Sequence, residues 1–159
     1  MSLLEILREA DVFYDLTLEQ LEQVAALCTV VRPPKGATVF RENSYGDEMY
    51  LIAAGSVEIE ADPAILGLET DSGPTTLATL RRGQTFGEMA LVDRGLRSAT
   101  VTVAEEETVL LSIHREALME LCERDHQLGY RLMRNIAIDL ACRVRGVNLK
   151  VRERSLRLG

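Results

Sequence analysis

One carboxylate and one guanidinium stand nine positions apart in the run Phe86-Gly87-Glu88-Met89-Ala90-Leu91-Val92-Asp93-Arg94-Gly95-Leu96-Arg97-Ser98-Ala99-Thr100. An arginine at the start of a strand offers a forked pair of hydrogen bonds that suits a phosphate. A glutamate beside it accepts hydrogen bonds from hydroxyls. Gly87 lets backbone approach closely between a strand and the next segment. Glu88 to Leu91 can form one helical turn, whose free N–H groups attract an anion. Ala90 is small and leaves room for a ligand, and Gly95 permits a tight return. Together these residues suit a sugar phosphate.

The elements that must position them follow from the pattern along the chain. Thr17 and Gln20 form a capping-box pair, and Leu18, Leu21, Val24, Ala25 and Leu27 then recur at helical spacing. Pro33-Pro34-Lys35-Gly36 ends that helical region. From Ala37 to about Ile113 short apolar or alternating runs predict strands: Val39-Phe40, Met49-Tyr50-Leu51-Ile52, Val57/Ile59, Leu77 to Leu80, Ala99 to Val103 and Val109 to Leu111. Asn43 to Asp47, Gly55, Gly83 and Gly95 separate them. Many short strands at regular spacing predict a β-sandwich or barrel, with a jelly roll (double-stranded β-helix) as the member expected. Residues 63–74 read as a long loop. Helix returns with Glu116 to Glu123. Leu128, Leu132, Ile136, Leu140 and Val144 then recur every four residues along a helix predicted to reach about Leu149. The chain is thus expected to be mainly β with flanking helices. It divides into an N-terminal helical segment (1–28), a jelly roll carrying the 86–100 segment (29–114), and C-terminal helices with a basic tail (115–159).

The run FGEMAL followed by RSAT resembles the phosphate-binding cassette of the cyclic-nucleotide-binding domain family. Catabolite activator protein, the regulatory subunit of protein kinase A and cyclic-nucleotide-gated channels belong to that family. The similarity extends to Val12-Phe13, Leu16 and Leu21, and to Gly36, Val39-Phe40, Gly46-Asp47, Met49 to Ile52 and Gly55, over about residues 10–150. The resemblance implies a ligand-binding set of Phe86, Gly87, Glu88, Met89, Ala90, Arg97, Ser98, Ala99 and Arg143. Glu88 would bind the ribose 2′-hydroxyl and Arg97 the cyclic phosphate. Ser98 would add a hydroxyl, and the N–H groups of Ala90 and Ala99 would complete the cradle. The C-terminal helix would cover the base with Arg143, Val144 or Val147 near it, Arg143 either stacked on the purine or simply at the surface. On the resemblance alone the ligand expected is cAMP, with cGMP as the alternative: a threonine after the arginine helps guanine recognition in relatives of the cGMP-dependent kinase type, Ser98 could partly imitate it, and serine also occurs in cAMP-binding relatives. Asn43 departs from the family's usual glycine, but asparagine tolerates positive φ. The long loop after Pro63 is a second departure.

Composition narrows the rest. The 159 residues are 47% hydrophobic and 27% charged, which fits one globular domain, and the net charge of −7 argues against general nucleic-acid binding. Residues 127–159 hold eight basic and two acidic side chains, +6, which leaves −13 for residues 1–126. This asymmetry reads as a solvated basic helix face or a surface for an acidic partner. Cys28, Cys122 and Cys142 show no CxxC spacing, and unpaired thiols fit a reducing cytosol. The start lacks a basic n-region and no run is long enough to span a membrane, so a cytoplasmic location is expected. His114 and His126 are isolated, so no metal or cofactor is expected. Ser98, Asp125 and His126 form no recognisable triad, and an enzyme is not expected. Only about ten residues follow Leu149, so a helix-turn-helix DNA-binding unit is not expected here. That leaves a regulatory sensor acting on a separate effector, the N-terminal part of a transcription regulator, or a dimerising interaction module with a vestigial cassette. The wide apolar stripe favours a homodimer through the C-terminal helix.

Overall fold

The computed structural model describes residues 2–61, 75–93 and 96–158, with side chains as far as residue 146 except at Thr75. The expected loop at 63–74, and Gly95, lie outside the described residues. Helix α1 (Leu3–Glu9), a 3-10 turn (Asp11–Phe13) and α2 (Leu18–Ala25) precede eight strands. The Thr17 hydroxyl accepts from Gln20 N at 3.2 Å and the Gln20 amide oxygen accepts from Thr17 N at 2.9 Å, so the expected capping box forms. A second box, Ser2 with Glu5, starts α1 within the expected N-terminal helical segment.

The strands are β1 (Cys28–Val31), β2 (Thr38–Phe40), β3 (Glu48–Ala54), β4 (Ser56–Ala61), β5 (Thr75–Arg81), β6 (Thr85–Phe86), β7 (Thr100–Val103) and β8 (Val109–His114). They form two four-stranded sheets of order β1-β8-β3-β6 and β2-β7-β4-β5, with every recorded pairing antiparallel. This is the expected jelly-roll class. Strand β1 pairs along β8 ahead of the proline-rich turn, so the sheet begins earlier than Ala37.

Sheet β1-β8-β3-β6 is covered on both faces, which explains its continuous apolar runs. Successive side chains of a strand point to opposite faces. Met49 and Leu51 of β3, with Leu111 and Ile113 of β8, therefore join Leu7, Phe13, Leu21 and the later helices. Tyr50, Ile52 and Leu110 turn the other way and pack with Val57, Phe86 and Val101 between the sheets. Each fully buried leucine or isoleucine stabilises this arrangement by roughly 1.5–3 kcal/mol relative to exposure.

Helix α3 (Met89–Asp93) follows β6, α4 (Arg115–Arg124) follows β8, and α5 (His126–Leu158) continues beyond the expected end near Leu149. Leu128, Leu132 and Ile136 bury one stripe of α5 in the helical core. Asn135 lies within it and donates from Nδ2 to Val12 O (3.0 Å) and Tyr14 O (2.8 Å), while Arg131 donates to Asp15 O at 2.8 Å. These bonds satisfy carbonyls of the 3-10 turn and of the connection that follows it, and fix the first half of α5. Among the described residues no helix is long and apolar enough to cross a membrane.

Candidate functional site

Arg97 lies three residues ahead of β7, and its side chain is almost wholly enclosed, with 5% of its surface exposed. Its backbone is fixed by two bonds to the turn between β2 and β3, Arg97 N to Ser44 O and Asn43 N to Arg97 O, both 2.8 Å. Asn43 has φ +64°, the positive value its side chain tolerates. Arg97 Nη2 donates to Glu48 O at 2.8 Å and Nη1 to Gly87 O at 3.3 Å. The guanidinium lies 4.2 Å over the Phe40 ring, which packs with Tyr50 and Phe86. Nε is buried without a hydrogen bond. The nearest carboxylate oxygen, Glu48 Oε2, is 3.8 Å from Nη2, an ion pair too long for a hydrogen bond.

Two glycines make this placement possible. A Cβ on Gly46 would stand 2.5 Å from Arg97 Nη2. One on Gly87 would stand 2.9 Å from Nη1 and 3.0 Å from Glu48 O, and Gly87 has φ +77°. Burial pushes the Arg97 pKa down, opposed by Tyr50, Glu48 and Asp47.

Glu88 follows Gly87 and precedes α3. It is 2% exposed, and its Oε1 lies 2.8 Å from Arg143 Nη1 on α5. Arg143 also reaches Asp139 at 2.9 Å, one turn earlier on the same helix. Glu88 Oε2 is buried with no hydrogen bond in the protein. Burial raises the Glu88 pKa, with Arg143 opposing. A cavity of about 50 Å³ abuts Glu88, Thr85, Gln84, Ile136, Asp139 and Arg143. No hydrogen bond or ion pair links Glu88 to Arg97, and Arg97 does not line the cavity beside Glu88; the link between them is Gly87, whose carbonyl holds Arg97 and which precedes Glu88 in the chain.

Of the remaining expected residues, Arg143 pairs with Glu88 and Ala90 bonds to Gly87. Phe86 is buried in β6 and stacks on Tyr50 at 5.1 Å. Met89 and Ser98 are exposed and face each other, with Sδ 4.0 Å from Oγ. Ala90 is buried, and its N–H, expected to be free, donates to Gly87 O at 3.2 Å. Ala99 is half-buried. Arg143, expected either at the surface or over a base, is half-exposed and paired with Glu88 and Asp139. Sequence reasoning missed Phe40, Gly46, Glu48 and Asp139 as neighbours of the charged pair. Only the Gly46-Asp47 turn gave a local signal. Among the described residues no group of three or more His, Cys, Asp or Glu could hold a metal ion.

Chemically, a buried fork of N–H donors that lacks a close carboxylate can hold an anion. A buried carboxylate with a free oxygen can accept from a hydroxyl. Comparison with known proteins shows the family. The family model described as Cyclic nucleotide-binding domain matches residues 30–125, more than half the chain. The cyclic AMP receptor protein of Thermus thermophilus is 31% identical over 147 residues, 91% of this chain and 62% of that protein. A cGMP-dependent protein kinase of Toxoplasma gondii is 33% identical over 131 residues, 80% of this chain and 11% of the kinase. The chain thus spans less than two thirds of these relatives. The solved catabolite activator protein of T. thermophilus superposes with a TM-score of 0.76 at 30% identity, covering 92% of this chain and 63% of that one. A cyclic nucleotide-binding domain from Methylobacillus flagellatus shares the fold, with a TM-score of 0.79 at 24% identity over 96% of this chain and 82% of that one. With the cassette, the two sheets and the long α5 all in place, the chain belongs to the cyclic nucleotide-binding domain family.

Proposed function

We propose that this chain is a regulatory module that binds cAMP and reports its presence through α5, without turning the ligand over. Arg97 takes the cyclic phosphate and Glu88 the ribose 2′-hydroxyl. The Ser98 hydroxyl and the Ala99 N–H complete the cradle, framed by Phe86, Gly87, Met89 and Ala90, whose own N–H is held by Gly87 O. The observation that carries this reading is the pair of buried charges with unused hydrogen-bonding atoms, Arg97 Nε and Glu88 Oε2, one held by the Gly87 carbonyl and the other on the next residue of the chain. Burying a guanidinium without a hydrogen-bonded carboxylate costs several kcal/mol. Such an expense persists where a ligand completes the pairing.

cAMP is favoured over cGMP by the likeness to the cyclic AMP receptor protein, which spans 91% of this chain; the Ser98 hydroxyl suits either base. Coupling runs through Glu88. Its carboxylate is shared between the site and Arg143 of α5, so a ribose hydroxyl that donates to it alters the pull on α5. Only a difference in ligand affinity between two positions of α5 can move the helix. The recipient is an effector protein or domain, or a second copy of the chain. Tyr130, Met133, Ala137, Leu140 and Val144 follow an alternating three-and-four spacing along α5, and Tyr130 and Val144 are largely exposed. That seam favours a helix-to-helix homodimer, which sedimentation at varied concentration measures.

Calorimetric titration with cAMP, cGMP and a cyclic dinucleotide tests the reading. The expected result is one site per chain, tightest for cAMP, with intact ligand recovered. Absence of binding by all three compounds would make the cassette vestigial.

A further inference from the structure

The charge around the proposed phosphate position is unexpected. Arg97 is surrounded by Glu48, whose carboxylate oxygen lies 3.8 Å from Nη2, and by Asp47, which acts on it electrostatically. Arg143, the second cation, is shared by Glu88 and Asp139. Among the described residues, Arg97 with Glu48 and Asp47 gives one cation against two carboxylates, −1, although the ligand proposed for it is an anion.

Glu48 acts in two opposing ways. Its main-chain oxygen fixes Nη2 at 2.8 Å. Its carboxylate faces the same nitrogen from beyond hydrogen-bond distance, on a side chain 37% exposed. A group so placed contributes a field rather than a hydrogen bond. That field is attractive to Arg97 and repulsive to any anion that Arg97 holds.

We infer that Glu48 is a specificity residue whose carboxylate sets the charge the site accepts, admitting a singly charged cyclic phosphodiester and rejecting a doubly charged terminal phosphomonoester. This rests on the reading of Arg97 as the phosphate ligand. Repulsion scales with ligand charge. A phosphodiester carries one negative charge, whereas a phosphomonoester carries about −1.5 to −2 near neutral pH. Removing the Glu48 charge therefore multiplies the affinity for a monoanion by some factor, and that for a dianion by about its square. For charges about 5 Å apart at a partly solvated position, that factor is on the order of fivefold.

The test is titration of the wild-type chain and the Glu48→Gln variant with cAMP and with 5′-AMP, at neutral pH and fixed salt, with folding followed by circular dichroism. The variant should bind cAMP about fivefold more tightly and 5′-AMP about 25-fold more tightly, so the preference for the cyclic ligand falls about fivefold. Glu48→Asp, which keeps the charge, should retain the wild-type preference. Equal gains for both nucleotides, gain for neither, weaker cAMP binding by a folded Glu48→Gln chain, or a collapsed preference in Glu48→Asp would each overturn the role. A wild-type chain that binds neither nucleotide overturns the reading of Arg97 as well. One that binds cAMP, with variants lacking a charge-dependent effect, overturns the role of Glu48 alone.

Discussion

Replacing Arg97 by methionine should abolish nucleotide binding and leave the free protein about as stable as before. In the free chain the guanidinium makes one good bond to Glu48 O, a longer one to Gly87 O, and a contact over Phe40. Hydrogen bonds from a charged donor are worth about 1.5–3 kcal/mol each, and a partly desolvated cation–π contact about 1. Allowing for the 3.3 Å length of the second bond, the favourable sum is about 4 kcal/mol. Against it stands a desolvation penalty of several kcal/mol for a cation whose nearest carboxylate oxygen is 3.8 Å away. These nearly cancel. Methionine fills much of the same volume without charge, and Gly87 O keeps the Ala90 N–H as a donor. The expected change in unfolding free energy is within about 2 kcal/mol in either direction. Binding is different, because the phosphate loses its countercharge. The loss there is about 3–5 kcal/mol, or on the order of a few hundred- to a few thousand-fold in Kd. Urea unfolding with and without ligand measures both at once. Wild type gains about 2.7 kcal/mol at a ligand concentration of 100 Kd, whereas the variant gains nothing at that concentration. A variant that retains the ligand shift, or one that loses more than about 4 kcal/mol without ligand, would refute the reasoning.

Two further changes probe the same site from its edges. Gly46→Ala places a methyl 2.5 Å from Arg97 Nη2 and 2.8 Å from Nε, at a backbone position that is not left-handed. The guanidinium must yield, so cAMP affinity should fall by at least about tenfold while the thermal midpoint stays nearly unchanged, and calorimetry paired with a melt distinguishes the two. The Glu88 carboxyl is held above its ordinary value of 4.5, chiefly by burial. The folded chain therefore binds this proton more tightly than the unfolded chain. Stability from this group is fully present below 4.5 and is lost as pH rises through the higher folded value. Compared with Glu88→Gln, wild type should lose unfolding free energy as pH climbs from 4.5 toward neutrality. A difference that grows in favour of wild type over that range would contradict it.

What the sequence made legible was local. Thr17 and Gln20 are three positions apart, and the capping box depends on nothing beyond them. Asn43 and Gly87 adopt positive φ as their residue types allow. Met49 to Ile52 reads as a strand because both faces of its sheet are covered, which removes the alternation but leaves an apolar run. Charges were legible as residues and not as partnerships. Glu48 reaches Arg97 across 49 positions and Glu88 reaches Arg143 across 55, and no periodicity encodes a meeting that depends on how the sheets close. Strand β1 was missed because it needs β8 as its partner, some 80 residues later. Helix α5 was placed too short because the expected apolar stripe fades after Val144, whereas the backbone remains helical to Leu158.

The way α5 is attached gives the proposed coupling its physical basis. Its first half is held by groups remote from the cassette: Leu128, Leu132 and Ile136 in the core, the Asn135 amide on two carbonyls, and Arg131 on Asp15. Beyond Ile136 the bonds change in kind. Asp139 and Arg143 are half-exposed, and the recorded polar ties to the body are the pair with Glu88 and a long approach of Arg143 to Thr85 O at 3.5 Å. An exposed pair such as Arg143 with Asp139 contributes little, whereas a pair with one buried partner depends strongly on what else that partner bonds. Glu88 has a free oxygen, so its hold on Arg143 depends on the occupant of the site. In the proposed coupling, a ligand that engaged Glu88 would act on the second half of α5 and leave the first half fixed, with a pivot near Ile136. Hydrogen exchange along α5 should then change on cAMP binding in residues 137–146 and stay constant in 128–136. A uniform change along the whole helix would mean that α5 moves as one rigid rod and that Glu88 is not its control point.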